Sequence, residues 1–200
     1  MLVKIALAQI DIVAGRPDQN YQSMLTSIHQ AKQSGVELIV FPEMSIPGYF
    51  LGDTWEQTAF LKDCEHYGNQ IIQASANICI VFGNVAIDWK KKGNDGRVRK
   101  YNAVFVAQNG ALCGGENFPY PYRIKTLQPN YREFDDSRHF FSAKKLAQEN
   151  GLQIEELLTP VPIVVNNENL LLGCILCEDG WDEDYSVKPT QILNDKANLD

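Results

Sequence analysis

Hydrophobic and polar positions along the 200-residue chain fall into two periods, and these separate strands from helices. Residues 2–13, LVKIALAQIDIV, alternate and read as a first strand. In PDQNYQSMLTSIHQAKQSG the spacing of Tyr21, Met24, Leu25 and Ile28 predicts a helix, with Gly35 as its stop. VELIVFPE predicts a short buried strand closed by Pro42. From about Trp55 to Ala76, Phe60, Leu61, Cys64, Tyr67, Ile71 and Ile72 share one side of a second helix.

Strands follow at CIVFGNVAID and KYNAVFVAQNG, the latter ending in an Asn-Gly turn that leads into ALCGG. Residues 116–140 form a long aromatic, proline-rich and charged stretch. Such a loop inside a compact domain is functional or disordered, and its aromatic content argues against disorder. A helix is expected at SAKKLAQENG, then strands at PIVVNN and NLLLGCILC joined by an Asn-rich turn. Helices and strands alternate at first and strands then come in runs. That order favours an α/β fold of two packed sheets with helices outside. No repeat or low-complexity linker marks a domain boundary, so one domain, residues 1–200, is expected.

Composition narrows the function. With 44% hydrophobic and 22% charged residues the chain is ordinary globular material. A net charge of -7 leaves no footprint for nucleic acid. The one basic cluster, WKKKG, reads as a solvated hairpin tip. No apolar run approaches membrane-spanning length, and the N-terminal stretch lacks a cleavable signal layout. Five cysteines without framework spacing indicate a reducing, cytoplasmic setting.

The stretch LLLGCILCEDGW holds Cys174 and Cys177, three apart. On a strand these point to opposite faces, so they do not converge on one metal or pair easily as a disulfide. Cys64, Cys79, Cys113 and the three histidines supply no partner pair for a zinc site. Cys174 reads as core packing. Cys177, the last apolar position before a glycine-containing turn, stands where a nucleophile can be exposed, although position alone favours an inert thiol. Glu178 and Asp179 beside it disfavour a thiolate, so a reactive Cys177 needs a cation or base from elsewhere.

Two candidates supply them. Glu43 follows a buried Val-Phe-Pro run, where partial desolvation raises a carboxylate towards general-base values; an ordinary strand-end acid is equally compatible. Lys125, near Arg123 in the aromatic loop, is either a held cation or a solvated one. Together a thiol, a carboxylate and an ammonium describe nucleophilic catalysis with a stabilised oxyanion. In that arrangement Lys125 is expected to lower the Cys177 pKa while Glu43 accepts its proton.

FPEMSIPGY, KTLQPNY and CEDGW resemble, in order, the Glu, Lys and Cys motifs of the carbon–nitrogen hydrolase (nitrilase) superfamily. KYNAVFV and YREFDDSRHF resemble in particular the glutaminase domains of glutamine-dependent NAD synthetases, and the likeness runs from Val3 to Asp200. It implies a four-layer α-β-β-α sandwich, with Glu43 as general base, Lys125 as oxyanion stabiliser and Cys177 as nucleophile. Tyr131 is implied as a contact to glutamine, with Asp136 and Glu178 as supporting residues. Asp136 stands where the group usually has Glu, Gln128 where it has Leu and His139 where it has Tyr, which puts the positioning role of Asp136 in doubt. Glu178 and Asp179 belong to the pattern, which implies that they face away from the sulfur.

The resemblance implies no cofactor or metal for glutamine hydrolysis. ATP and Mg belong to a downstream synthetase domain, where the released ammonia amidates an adenylated nicotinic acid dinucleotide. The family continues with further strands beyond NDKANLD, so the chain is expected to be an incomplete, N-terminal part of a larger, homo-oligomeric enzyme. A free-standing amidase or nitrilase and a non-catalytic scaffold are the alternatives.

Overall fold

The structure is a computed structural model that describes residues 2–114 and 119–197. Strand β1 (Ile5–Leu7) leads through helix α1 (Pro17–Gln33) to β2 (Leu38–Val40), then through α2 (Thr58–Gln73) to the long hairpin of β3 (Cys79–Lys92) and β4 (Val98–Gln108). Strands β1, β2 and β3 are parallel neighbours, β4 runs antiparallel to β3, and two short strands, β5 (Ala111–Leu112) and β6 (Arg123–Ile124), both pair with β4. The short helices α3 (Asp136–His139), α4 (Ala143–Asn150) and α5 (Ile154–Leu157) follow. Strands β7 (Val161–Val165) and β8 (Glu168–Leu172) then form a separate hairpin, and α6 (Pro189–Ala197) contacts the turn at Cys177–Gly180.

Helix α1 carries Pro17 at its first turn, where the missing N–H is no loss. Its buried Met24, Ile28 and Ala31 lie at helical spacing, and Gly35 ends it with φ 65. Helix α2 buries Phe60, Leu61, Cys64, Ile71 and Ile72 as its periodicity predicts. It is shorter than expected, because Trp55 belongs to a 3-10 turn (Gly52–Glu56) and Gln57 is extended. These helices and one face of the six-stranded sheet enclose a core containing Met24, Ile28, Leu61, Ile71, Ile80 and Phe82. On the other face Val81, Val104 and Val106 pack against Val161, Ile163 and Val165 of the hairpin. Helix α4 packs its Ala143, Leu146 and Ala147 against Tyr101, Ala103 and Ile124.

Helices, sheet and second sheet are thus stacked as the resemblance implies. Pro162, Val164 and Leu171 alternate with the buried positions of the β7–β8 hairpin and lie exposed on its outer face. The two expected tight turns are present. Asn109 and Gly110 both have positive φ between β4 and β5, as do Asn166 and Asn167 between β7 and β8, the backbone that a two-residue hairpin turn requires. The WKKKG cluster does lie towards the exposed end of the β3–β4 hairpin, beside an irregularity between Asp88 and Lys92.

Three strands end earlier than their apolar patterns suggest. The first covers Ile5–Leu7 instead of residues 2–13, because β2, the strand it pairs with among the described residues, is itself three residues long. The strand read as NLLLGCILC stops at Leu172, whose partner Val161 begins β7. PIVVNN likewise gives up its last two residues to the turn. The stretch 116–140 contains β6 and α3, and its residues 116–118 lie outside the described residues. Among the described residues no helix is long and apolar enough to cross a membrane.

Candidate active site

The Glu43 segment continues β2 alongside β3. The Phe41 N–H donates to the Val81 carbonyl, and the Gly83 N–H to the Pro42 carbonyl. The chain then turns across β3 with Met44 at φ 51. It lies so close that a Cβ on Gly83 would stand 2.4 Å from the Met44 nitrogen and 2.7 Å from the Glu43 Cα. Only glycine accommodates that approach without something moving.

Lys125 arrives from the opposite side of the sheet. Strand β6 pairs Ile124 with Ala103, and the Lys125 N–H donates to the Asn102 carbonyl at 2.9 Å. The Lys125 side chain is buried, and its Nζ donates to Glu43 Oε1 at 2.8 Å, Asp136 Oδ2 at 2.9 Å and Tyr49 Oη at 3.3 Å. Burial works against the ammonium, but Glu43 and Asp136 outweigh it and hold its pKa above lysine's ordinary value. Asp136 is pushed above the usual carboxylate range by burial, with Lys125 opposing the rise. Tyr49 gives its single proton to Asp136, 2.9 Å from Oδ2, and stands farther from Glu43, at 3.4 Å. Burial, then Glu43 and Asp136, push its phenol far above the ordinary range.

Cys177 completes the group. Residues 173–176 carry the chain past the end of β8 and Leu176 is still extended, but Cys177 has φ 45. That left-handed backbone is costly for a side chain bearing a Cβ, and it recurs where a nucleophile is held out on a sharp turn. Cys177 is exposed, whereas Glu178 and Asp179 are buried. Glu178 accepts from Tyr131 Oη at 2.8 Å and Tyr185 Oη at 2.5 Å. Asp179 accepts from the backbone N–H groups of Leu127 at 2.7 Å, Thr126 at 3.1 Å and Leu176 at 3.3 Å.

The structure corrects one expectation. Lys125 does favour the Cys177 thiolate, but burial first and the Glu43 charge second outweigh it, and the thiol is held above its ordinary pKa. The neighbouring cation alone therefore does not activate the Cys177 sulfur. Glu178 contributes in both directions, its carboxylate raising the thiol and its backbone N–H lowering it.

Glu43, Lys125, Asp136 and Cys177 are thus one electrostatic cluster. Tyr131 is half exposed at its edge and bonded to Glu178. Two participants were not anticipated from the residues: Tyr49 and Asn102, whose Nδ2 donates to Glu43 Oε1 at 2.6 Å. The quoted motifs FPEMSIPGY and KYNAVFV contain both, but nothing in their spacing shows that they meet. Cys174 is packed near Val161 and Leu176, away from this cluster, and burial pushes its thiol up to about 12. Among the described residues no three His, Cys, Asp or Glu side chains converge as a metal-holding group.

The family model described as carbon-nitrogen hydrolase matches residues 4–148, a span that includes Glu43, Lys125 and Asp136 and ends before Cys177. A glutamine-dependent NAD(+) synthetase of Thermotoga maritima is 27% identical over 192 residues, covering 96% of this chain and 28% of that protein. The chain thus spans less than a third of the length of that curated relative. The solved glutamine-dependent NAD+ synthetase of Acinetobacter baumannii, in complex with ADP, superposes with a TM-score of 0.71 at 28% identity. That match covers 99% of this chain and 31% of the other. An amidase from Nesterenkonia sp. shares the fold, with a TM-score of 0.62 at 16% identity over 88% of this chain and 56% of its own.

Proposed function

The chain belongs to the carbon–nitrogen hydrolase family, and from that premise we propose that it is the glutamine-hydrolysing part of a glutamine-dependent NAD synthetase. The observation that carries the reading is the contact of buried Lys125 with both Glu43 and Asp136, beside a cysteine held at positive φ.

The chemistry follows from the geometry. Cys177 Sγ attacks the side-chain amide carbon of glutamine as its proton passes to Glu43. The carbonyl electrons move onto oxygen, and Lys125 with the Glu178 N–H stabilises that oxyanion. The Lys125 N–H engaged at 3.3 Å with Tyr49 is its longest contact and the one released to the oxyanion. The tetrahedral centre collapses with cleavage of the C–N bond, and Glu43 returns the proton to the departing ammonia. Water then attacks the thioester and gives a proton to Glu43, the C–S bond breaks as Glu43 hands that proton to the departing Cys177 sulfur, and glutamate leaves. Each of these proton transfers uses the chain's own side chains.

Tyr131, at the rim of the cluster and held by buried Glu178, is the group we assign to the amino-acid end of the substrate. The ammonia serves a synthetase domain that uses ATP and Mg, the expected partner of this one in a cytoplasmic homo-oligomer. The likeness to synthetases at 27–28% identity favours glutamine over a simple aliphatic amide.

The test is trapping. A glutamine-like diazoketone should add one equivalent to the chain, at Cys177, and excess glutamine should protect against it. Equal labelling by a short aliphatic amide electrophile, unprotected by glutamine, would move the reading to a general amidase. An absence of Cys177 labelling by either reagent would remove catalysis from it.

A further inference from the structure

We infer that Asn102 is a positioning residue that makes the two oxygens of Glu43 inequivalent, engaging Oε1 and leaving Oε2 to receive the Cys177 proton. The inference rests on the proposed role of Glu43 as the base.

Asn102 lies on β4 opposite Val85 of β3, and strand alternation puts it on the face that Val104 and Val106 present to the second sheet. It is buried, and its Nδ2 donates to Glu43 Oε1 at 2.6 Å and to Tyr49 Oη at 3.2 Å. Lys125 donates to the same Oε1 at 2.8 Å, and the 3.4 Å contact from Tyr49 also falls there. Among the described residues, Glu43 Oε2 receives no hydrogen bond. One carboxylate oxygen is thus held by two short donors while the other keeps its lone pairs.

The amide orientation is settled by chemistry. Only the NH2 end can face a carboxylate, because turning the amide would oppose two acceptors. The consequence is visible on the other side, where Asn102 Oδ1 is buried without a partner among the described residues. A leucine of similar size would leave no orphaned acceptor in that place, so core packing alone does not account for an amide here. The Asn102 backbone carbonyl meanwhile accepts the Lys125 N–H at 2.9 Å. The main chain of this residue places the ammonium and its side chain places the carboxylate.

The experiment is the pH–rate profile for alkylation of Cys177 by iodoacetamide in the 200-residue chain. A thiol and a carboxylate that share one proton give a thiolate population that levels off between the two proton losses and falls away on the acid side. Asn102→Leu should move that acid limb to higher pH by about one unit, because a carboxylate that loses a donor is protonated more readily. Asn102→Asp keeps the shape, removes the donors and adds a like charge, so it should move the limb further. Val106→Ala, a core change on the same strand, should lower the melting temperature and leave the limb in place.

Glu43→Gln should abolish the acid limb. If it does not, the assignment of Glu43 as base is wrong. If it does, while Asn102→Leu and Asn102→Asp fold and keep the parent profile, the inference on Asn102 alone is overturned. A shift in Val106→Ala as large as in Asn102→Leu, or failure of both Asn102 variants to fold, assigns Asn102 to structure and likewise overturns it.

Discussion

The carboxylate of Asp179 accepts the backbone N–H of Leu127 at 2.7 Å, which ties the turn that holds Cys177 to the segment that holds Lys125. A second oxygen contact, from the Leu176 N–H at 3.3 Å, closes the turn on itself. Cys177 and Lys125 come from positions 52 residues apart, and one buried side chain two residues after the cysteine bonds the segments that carry them.

Removing that side chain should therefore loosen both. Asp179→Ala leaves the N–H groups of Thr126, Leu127 and Leu176 buried without their acceptor, at a cost on the order of 1–3 kcal/mol for each unsatisfied group. We expect a lower melting temperature, and proteolysis first in the segments flanking residues 126 and 177. A variant that melts with the parent would show that these bonds hold nothing together.

The same residue predicts a pH dependence. Burial pushes the Asp179 carboxyl up to about 7 against the pull of the three N–H groups. An acid whose folded pKa is raised contributes stability that is full below its unfolded value, about 4, and is lost as pH rises through the folded value. Urea melts of the parent between about pH 4 and pH 8 should carry this falling component. It should be absent from Asp179→Asn, and an identical pH dependence in the two proteins would assign the component to another group.

Lys125 makes the opposite case. Lys125→Met removes the cation that faces Glu43 and Asp136 and should destabilise the fold by about 3–5 kcal/mol at neutral pH, the usual cost of breaking a buried pair. With the ammonium gone, the two carboxyls repel and at least one of them binds a proton more tightly than in the unfolded chain. Part of the lost stability should thus return as the pH is lowered. Denaturation at pH 7 and pH 5 measures this; a deficit that does not shrink at pH 5 would mean the lysine acts through packing.

Much of the framework could be read from residues alone, the two helices by their apolar spacing and two hairpin turns by Asn109-Gly110 and Asn166-Asn167. At Glu43 the buried run ending at Pro42 leaves a base and an ordinary strand-end acid equally open, and the motif resemblance makes the choice. What could not be read is long-range. Strand β6 has two residues, too few for any periodicity, yet it brings Lys125 beside Asn102. Asn102 sits inside an apolar run and gives no sign of its contact with Glu43. The positive φ of Cys177 lies in a turn that Asp179 bonds to residues 126 and 127, far away in sequence, and the rise in its thiol pKa comes first from burial that spacing does not contain.

Cys177 should be the first thiol to react. Of the five cysteines it alone is exposed. Burial raises Cys79 and Cys174 to about 12, raises Cys113, and raises Cys64 further still. With less than one equivalent of iodoacetamide, peptide mapping of the folded chain should find the label almost entirely on Cys177. The selectivity should disappear in denaturant, where all five are accessible. Comparable labelling of several cysteines in the folded state would contradict the exposure pattern.

Gly83 tests whether the Glu43 segment must lie as close to β3 as it does. A methyl group there meets the Met44 nitrogen at 2.4 Å and the Glu43 Cα at 2.7 Å, both backbone atoms that cannot rotate away. Gly83→Ala should therefore push the Glu43 segment off the sheet and cost about 1–3 kcal/mol, as overpacking usually does. Glu43 would move relative to Lys125 and Asn102, whose hydrogen bonds to Oε1 are 2.8 and 2.6 Å long and tolerate little displacement. Glutamine protection of Cys177 against the diazoketone should weaken together with the melting temperature. Gly68→Ala supplies the comparison, since its methyl would meet the Asn84 side-chain amide on the other side of the sheet. It should lower stability while leaving glutamine protection in the folded protein unchanged. If Gly83→Ala behaves in the same way as Gly68→Ala, the close approach at Gly83 serves packing and the position of Glu43 does not depend on it.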